Sequence, residues 1–224
     1  MKGVNDLLST YGLVHEVSKI TYAAFERGKQ YRARKFFEIV ELRYDSMTLA
    51  EKEKFKKIIE SETGQKIVSD YAIAVASTPS MVVNASLALL YAQDPDFDFA
   101  AHEVERFVAA VIGLTDRKID FLLKIQKLTP VGKKSLFPEY YIKKENFGIL
   151  KNIVDIDEVF IYVSDFQSRG LLLTETNREE AFGFGDRSES EDIKWSVAFS
   201  LSNTQMRYVA LFRKAKELLS ELKF

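Results

Sequence analysis

Residues 71–93 read YAIAVASTPSMVVNASLALLYAQ, without one charged side chain. A bilayer span takes about 20 such residues, so this stretch decides between a membrane helix and a buried core element. Ser77, Thr78, Pro79 and Ser80 interrupt it midway, and Asn84 sets an amide in its second half. Thr78 before Pro79 makes a good N-cap and first-helical-residue pair. The pattern predicts two helices meeting at that point, a buried central hairpin in place of a membrane span.

Helical spacing continues on both sides of the hairpin. Toward the N-terminus, Leu13, Val17, Ile20 and Ala24 form an apolar stripe, which Gly28 should end or bend. Phe36, Phe37, Val40 and Tyr44 carry the next pattern. Thr48 and Glu51 have the spacing of a capping box and start a helix through Phe55, Ile58 and Ile59, with Gly64 as its stop. Toward the C-terminus, Asp94-Pro95-Asp96 ends the hairpin. Asp94, Asp96 and Asp98 lack the glycine and closing glutamate of a calcium loop, and read as acids at a helix N-terminus. Phe107, Val111 and Leu114 mark one further helix. Thr115 caps another, through Ile119, Leu122, Leu123 and Ile125. Thr129-Pro130-Val131-Gly132 then breaks the pattern. The expected organisation is a helical bundle over 1–128, a linker over 129–138 and a small α+β module over 139–224.

In that module Asp155 precedes a helix with Val159, Tyr162, Val163 and Phe166 on one side, ended by Gly170. Residues 171–174 read as a strand, and residues 177–194 as a polar, glycine-containing hairpin. Residues 195–202 alternate, with Trp195, Val197, Phe199 and Leu201 facing one way. Thr204 is placed to cap a last helix through Val209, Leu211, Phe212, Leu218 and Leu219. The stretch from Val163 to Leu172, a helix leaving through Gly-Leu into a strand, resembles the second half of a winged helix-turn-helix domain. Ala198-Phe199-Ser200-Leu201-Ser202 leading into a helix resembles its exit strand. A helical front joined to such a module is also similar in layout to prokaryotic abortive-infection proteins of the Abi-alpha type, which implies a bacterial or phage-related protein.

The winged-helix resemblance implies DNA, and charge argues against it. Residues 155–170 carry four acids, Asp155, Asp157, Glu158 and Asp165, against Arg169 alone. Residues 174–194 carry seven acids against three cations. DNA affinity comes largely from cations that displace counterions at phosphates, which an acidic recognition helix and wing would forfeit. Protein is the better partner for this module, either a different chain or a second copy. Phe182, Phe184, Asp186 and Trp195 are the candidate docking residues. Trp195 is the only tryptophan, and the two phenylalanines lie in an otherwise polar hairpin, as interface anchors do. An ordinary wing folded back onto its sheet would hold them equally well.

The densest basic cluster is Arg27, Lys29, Arg32, Arg34 and Lys35, with Tyr31 among them. It is the candidate for nucleic acid, although Glu38 and Glu41 nearby also fit a solvated helix face. The whole chain, at 224 residues and a net charge of −1, has no overall bias toward polyanions. Zero cysteines exclude disulfides, thiolate catalysis and cysteine-ligated zinc, and fit a cytoplasmic protein. The N-terminus lacks the charged-then-apolar pattern of a signal peptide.

His15 and His102 are the only histidines. Arg106 stands where a zinc helix would need its second His after His102, and His15 with Lys19 fails in the same way. Gly183-Phe184-Gly185 lacks the third glycine and the flanking strand of a dinucleotide site, and no phosphate-loop lysine motif occurs. No metal, cofactor or catalytic residue is expected. A carboxylate or tyrosine site assembled by folding stays open, as does membrane insertion of the hairpin. The leading expectation is a non-enzymatic regulatory protein that docks on protein, and the second a nucleic-acid regulator using residues 27–35.

Overall fold

The computed structural model describes residues 26–131, 136–174 and 195–222. The chain is mainly helical, with eight α-helices and a small antiparallel sheet among these residues. In chain order they are α1 (26–46), α2 (Leu49–Glu60), α3 (Glu62–Ser77), α4 (Met81–Tyr91), α5 (Ala101–Val111) and α6 (Asp116–Ile125). β1 (Glu139–Lys143), a 3-10 turn (Phe147–Ile149), α7 (Ile156–Ser168), β2 (Ser196–Ser200) and α8 (Asn203–Glu221) follow.

The uncharged stretch forms a helical hairpin at the centre of the fold. Every residue of α4 from Val82 to Leu90 is buried, as expected of a helix that is apolar all round. It packs against α3, α5, α6 and α8, most extensively against α8. Among the described residues no helix is long and apolar enough to cross a membrane. The cap of α4 is Ser80, two positions beyond the expected Thr78: its Oγ accepts from Val83 N at 3.0 Å and donates to Asp116 at 2.5 Å. Asp116 also accepts from the Val82 N–H at 3.2 Å, so a carboxylate sits at the positive end of α4. Thr78 instead points into the core, where it donates to Val111 O and accepts from Gly113 N.

Other boundaries follow local chemistry closely. The Thr48 capping box forms, with the Thr48 N–H donating to Glu51 at 2.7 Å and Glu51 N to Thr48 Oγ1 at 3.3 Å. Thr115 caps α6, and the Asp155 N–H is closed by Glu158 at 2.9 Å before α7. Gly28 and Gly64, expected to break helices, lie inside α1 and α3. α8 is capped by Ser202, whose hydroxyl and N–H both meet Gln205. Thr204 donates to Glu103 of α5 instead. Nor do Asp94 and Asp96 cap α5. They turn away from that helix and hold Lys214 of α8, at 2.7 and 2.6 Å.

β1 and β2 pair antiparallel from Glu139↔Ser200 to Lys143↔Ser196. The strand expected over 171–174 reduces to one residue, Leu173, bridging Ser200 on the other edge of β2. β2 is thus flanked on both sides near its end, which explains why Ser200 is buried despite the alternation expected to turn it outward. The hydrophobic core runs as one cluster from Phe36 through α4 to Phe212, across the 129–138 segment where the sequence pattern changes.

Candidate functional site

α7 is apolar beyond its core stripe. Val159, Tyr162, Val163 and Phe166 point inward, with Phe121 of α6 meeting Tyr162 edge-on at 5.4 Å and stacking on Phe166 at 6.2 Å. Ile156 and Phe160 flank this stripe and Ile161 lies nearly opposite it, at 43, 46 and 61 % exposure respectively. A helix needs one apolar stripe to stay on its core; these exposed side chains widen it beyond that need.

Trp195 extends this outer face. It is half-buried, with its ring 5.8 Å from Phe160 on one side and 5.8 Å from Phe147 on the other. Ile149, at the end of the 3-10 turn, is 45 % exposed. The residues come from three segments that the β1–β2 pairing and the packing of α7 on β2 bring together. Exposed apolar side chains beside a half-buried tryptophan are a usual mark of a macromolecular contact.

The charges around α7 are arranged on its flanks. Arg117 donates to Glu158 at 2.6 Å and to Ile153 O at 2.6 Å. Lys118 and Arg169 grip Asp165 at 2.7 and 2.8 Å. Arg169 also reaches back to Ala110 O and Ile112 O at the end of α5. Burial pulls the Asp165 carboxyl upward, but the hydrogen bonds from Lys118 and Arg169 outweigh it and hold the group below the usual aspartate range. These cations are spent on fastening α7. The exposed positions along the helix, Ile156, Asp157, Phe160, Ile161, Ser164 and Ser168, contain no cation.

Of the docking residues expected from sequence, Trp195 lies in this face, while Phe182, Phe184 and Asp186 fall outside the described residues. The basic cluster lies on α1, with Arg27 and Arg34 exposed and Lys29, Arg32 and Lys35 half-buried. Arg32 donates to Val75 O at 3.2 Å and Ala76 O at 2.6 Å, closing the carbonyl end of α3. Lys29 pairs with Glu26, and Arg34 and Lys35 with Glu38. Arg27 is exposed. His102 is exposed on α5, and among the described residues no group of three His, Asp or Glu side chains converges on a common point.

The outer face of α7 went unread in the sequence, although a signal was present. Ile156, Phe160 and Ile161, at i, i+4 and i+5, widen the apolar surface of the helix beyond its core stripe. Glu139 and Ser200, paired across the sheet, are a second feature the sequence did not disclose: Glu139 Oε1 and Ser200 Oγ are both buried without a hydrogen-bond partner. No protein-family model, curated protein or solved structure matches the chain.

Proposed function

We propose that the chain is a non-enzymatic interaction protein that docks on protein, its own copy included, through the C-terminal module, with α7 and Trp195 forming the docking surface. The observation that carries this is the exposed Ile156, Phe160 and Ile161 on a helix already anchored by a complete inner stripe. The order α6, β1, 3-10 turn, α7, Leu173, β2, α8 supports a winged-helix-like reading of the module, with α7 in the position of the recognition helix. On that reading the helix offers apolar side chains and Asp157 where a DNA reader would offer Arg or Lys, which favours protein as the partner.

The test is the double substitution Phe160→Ser, Ile161→Ser. Both side chains lie outside the inner stripe, at 46 and 61 % exposure, so the thermal midpoint should move little. Association, measured by sedimentation of the purified chain and by retention of partners from the cells that make it, should be lost. Association that survives the double change would refute the assignment of this face. A nucleic-acid role for residues 27–35 is the weaker reading, because four of its five cations already have intramolecular partners.

A further inference from the structure

A two-stranded sheet has two edges, and an unpaired edge accepts strands from other chains. β1 is well suited to such pairing: Glu139-Tyr140-Tyr141-Ile142-Lys143 is rich in strand-favouring residues and holds no proline or glycine. Leu201 N donates to Pro138 O at 3.3 Å, which fixes 138 and 201 as a hydrogen-bonded pair. Hydrogen-bonded and open pairs alternate along an antiparallel ladder. Glu139, Tyr141 and Lys143, opposite Ser200, Ala198 and Ser196, therefore turn their backbone groups away from β2.

That outer edge is closed from within the chain. Val131 N donates to Glu139 O at 2.7 Å. Asn146 covers the two outward-facing residues beyond it: its amide nitrogen donates to Tyr141 O at 2.8 Å, and its amide oxygen accepts from Lys143 N at 2.8 Å. A tight turn brings it there, with Asn146 N donating to Lys143 O at 3.1 Å. One side chain thus meets a carbonyl and an N–H two residues apart, the contacts that the backbone of one residue in a parallel strand would make. The far edge of β2 is closed in a similar way. Leu173 exchanges two bonds with Ser200, at 2.9 and 3.0 Å, and Gln167 of α7 donates to Ala198 O at 3.3 Å.

We infer that Asn146 is an autoinhibitory contact, whose amide occupies the edge of β1 and blocks the addition of a strand from a second copy. With the amide gone, Tyr141 O and Lys143 N lie bare beside Tyr140 and Ile142, on a segment whose composition favours intermolecular pairing. The inference does not rest on the role of the α7 face.

The experiment compares full-length variants by sedimentation velocity and by the intermolecular-sheet band of the infrared amide spectrum. Asn146→Ala should roughly double the weight-average mass relative to the wild-type chain and bring up that band. Adding Lys143→Pro to Asn146→Ala removes the bared N–H, which points away from β2 and so tolerates proline; this double variant should sediment as the wild type does. Ser80→Ala weakens the chain at a helix cap far from the sheet and should also sediment as the wild type does. If Asn146→Ala fails to fold by circular dichroism, Asn146→Ser is read in its place, since serine supports the turn but is too short to meet both backbone groups. A folded Asn146 variant with wild-type mass and no sheet band overturns the inference. So does equal assembly by Ser80→Ala, the sign of general instability, or assembly that Lys143→Pro leaves unchanged.

Discussion

Lys214 shows how a single side chain joins distant parts of the chain. Its ammonium group contacts both oxygens of Asp94, at 2.7 and 2.8 Å, and Asp96 at 2.6 Å, fastening α8 to the turn after α4. Asp94 is almost fully buried, so Lys214→Ala would leave a carboxylate without its counter-charge. The expected loss is about 2 kcal/mol, tempered by the partial exposure of Lys214, and urea unfolding measures it. Acid should act on carboxyls that their contacts hold low, Asp96 beside Lys214 among them. Glu103 is held below its usual range first by the Ala100 N–H, then by Thr204 and Arg207, and Asp165 by the contacts described above. A carboxyl depressed in the fold contributes in full above its unfolded value near about 4 and loses that contribution as pH falls below it. Stability should therefore be level near neutrality and decline below about pH 4. Lys214 is raised, since the hydrogen bonds it donates to Asp94 and Asp96 outweigh the opposing effect of its burial. Its contribution is complete below about pH 10.4 and is lost as pH climbs past the raised value. Denaturant midpoints across the pH range test both limbs.

At the level of elements, α4 carries the fold. Leu87 is completely buried at its centre, and Leu87→Ala should cost about 2–5 kcal/mol, the range for large cavities in a packed core. Ser80→Ala removes the cap and the contact with Asp116, and should cost about 1 kcal/mol by thermal or urea unfolding. Elements written in local chemistry were legible. The capping residues Thr48, Thr115 and Asp155 and the uncharged hairpin could all be read from neighbours within four positions. Elements decided by distant neighbours were not. β1 is five residues long and is a strand because β2 lies beside it. Thr78 yields its cap to Ser80 because Asp116, far along the chain, reaches Ser80. Gly28 and Gly64 remain helical since each costs only about 1 kcal/mol relative to alanine, which packing of the surrounding helix overrides.

For the whole molecule, two surface features differ in how they could be found. Trp195 was legible as the only tryptophan at a strand entry, and the structure gives it neighbours, Phe147 and Phe160. The apolar groove that Phe36, Tyr71 and Tyr91 line was not legible, because its walls come from α1, α3 and α4 and no local pattern joins them. The central claim, that the α7 face docks on protein, has a built-in reporter. Trp195 is the sole tryptophan and sits half-buried in that face, so the decisive measurement is acrylamide quenching of its emission, free and in the complex formed with a second copy or a captured partner. The account predicts that quenching falls and emission shifts to the blue on association; a complex in which Trp195 remains as accessible as in the free chain would contradict it.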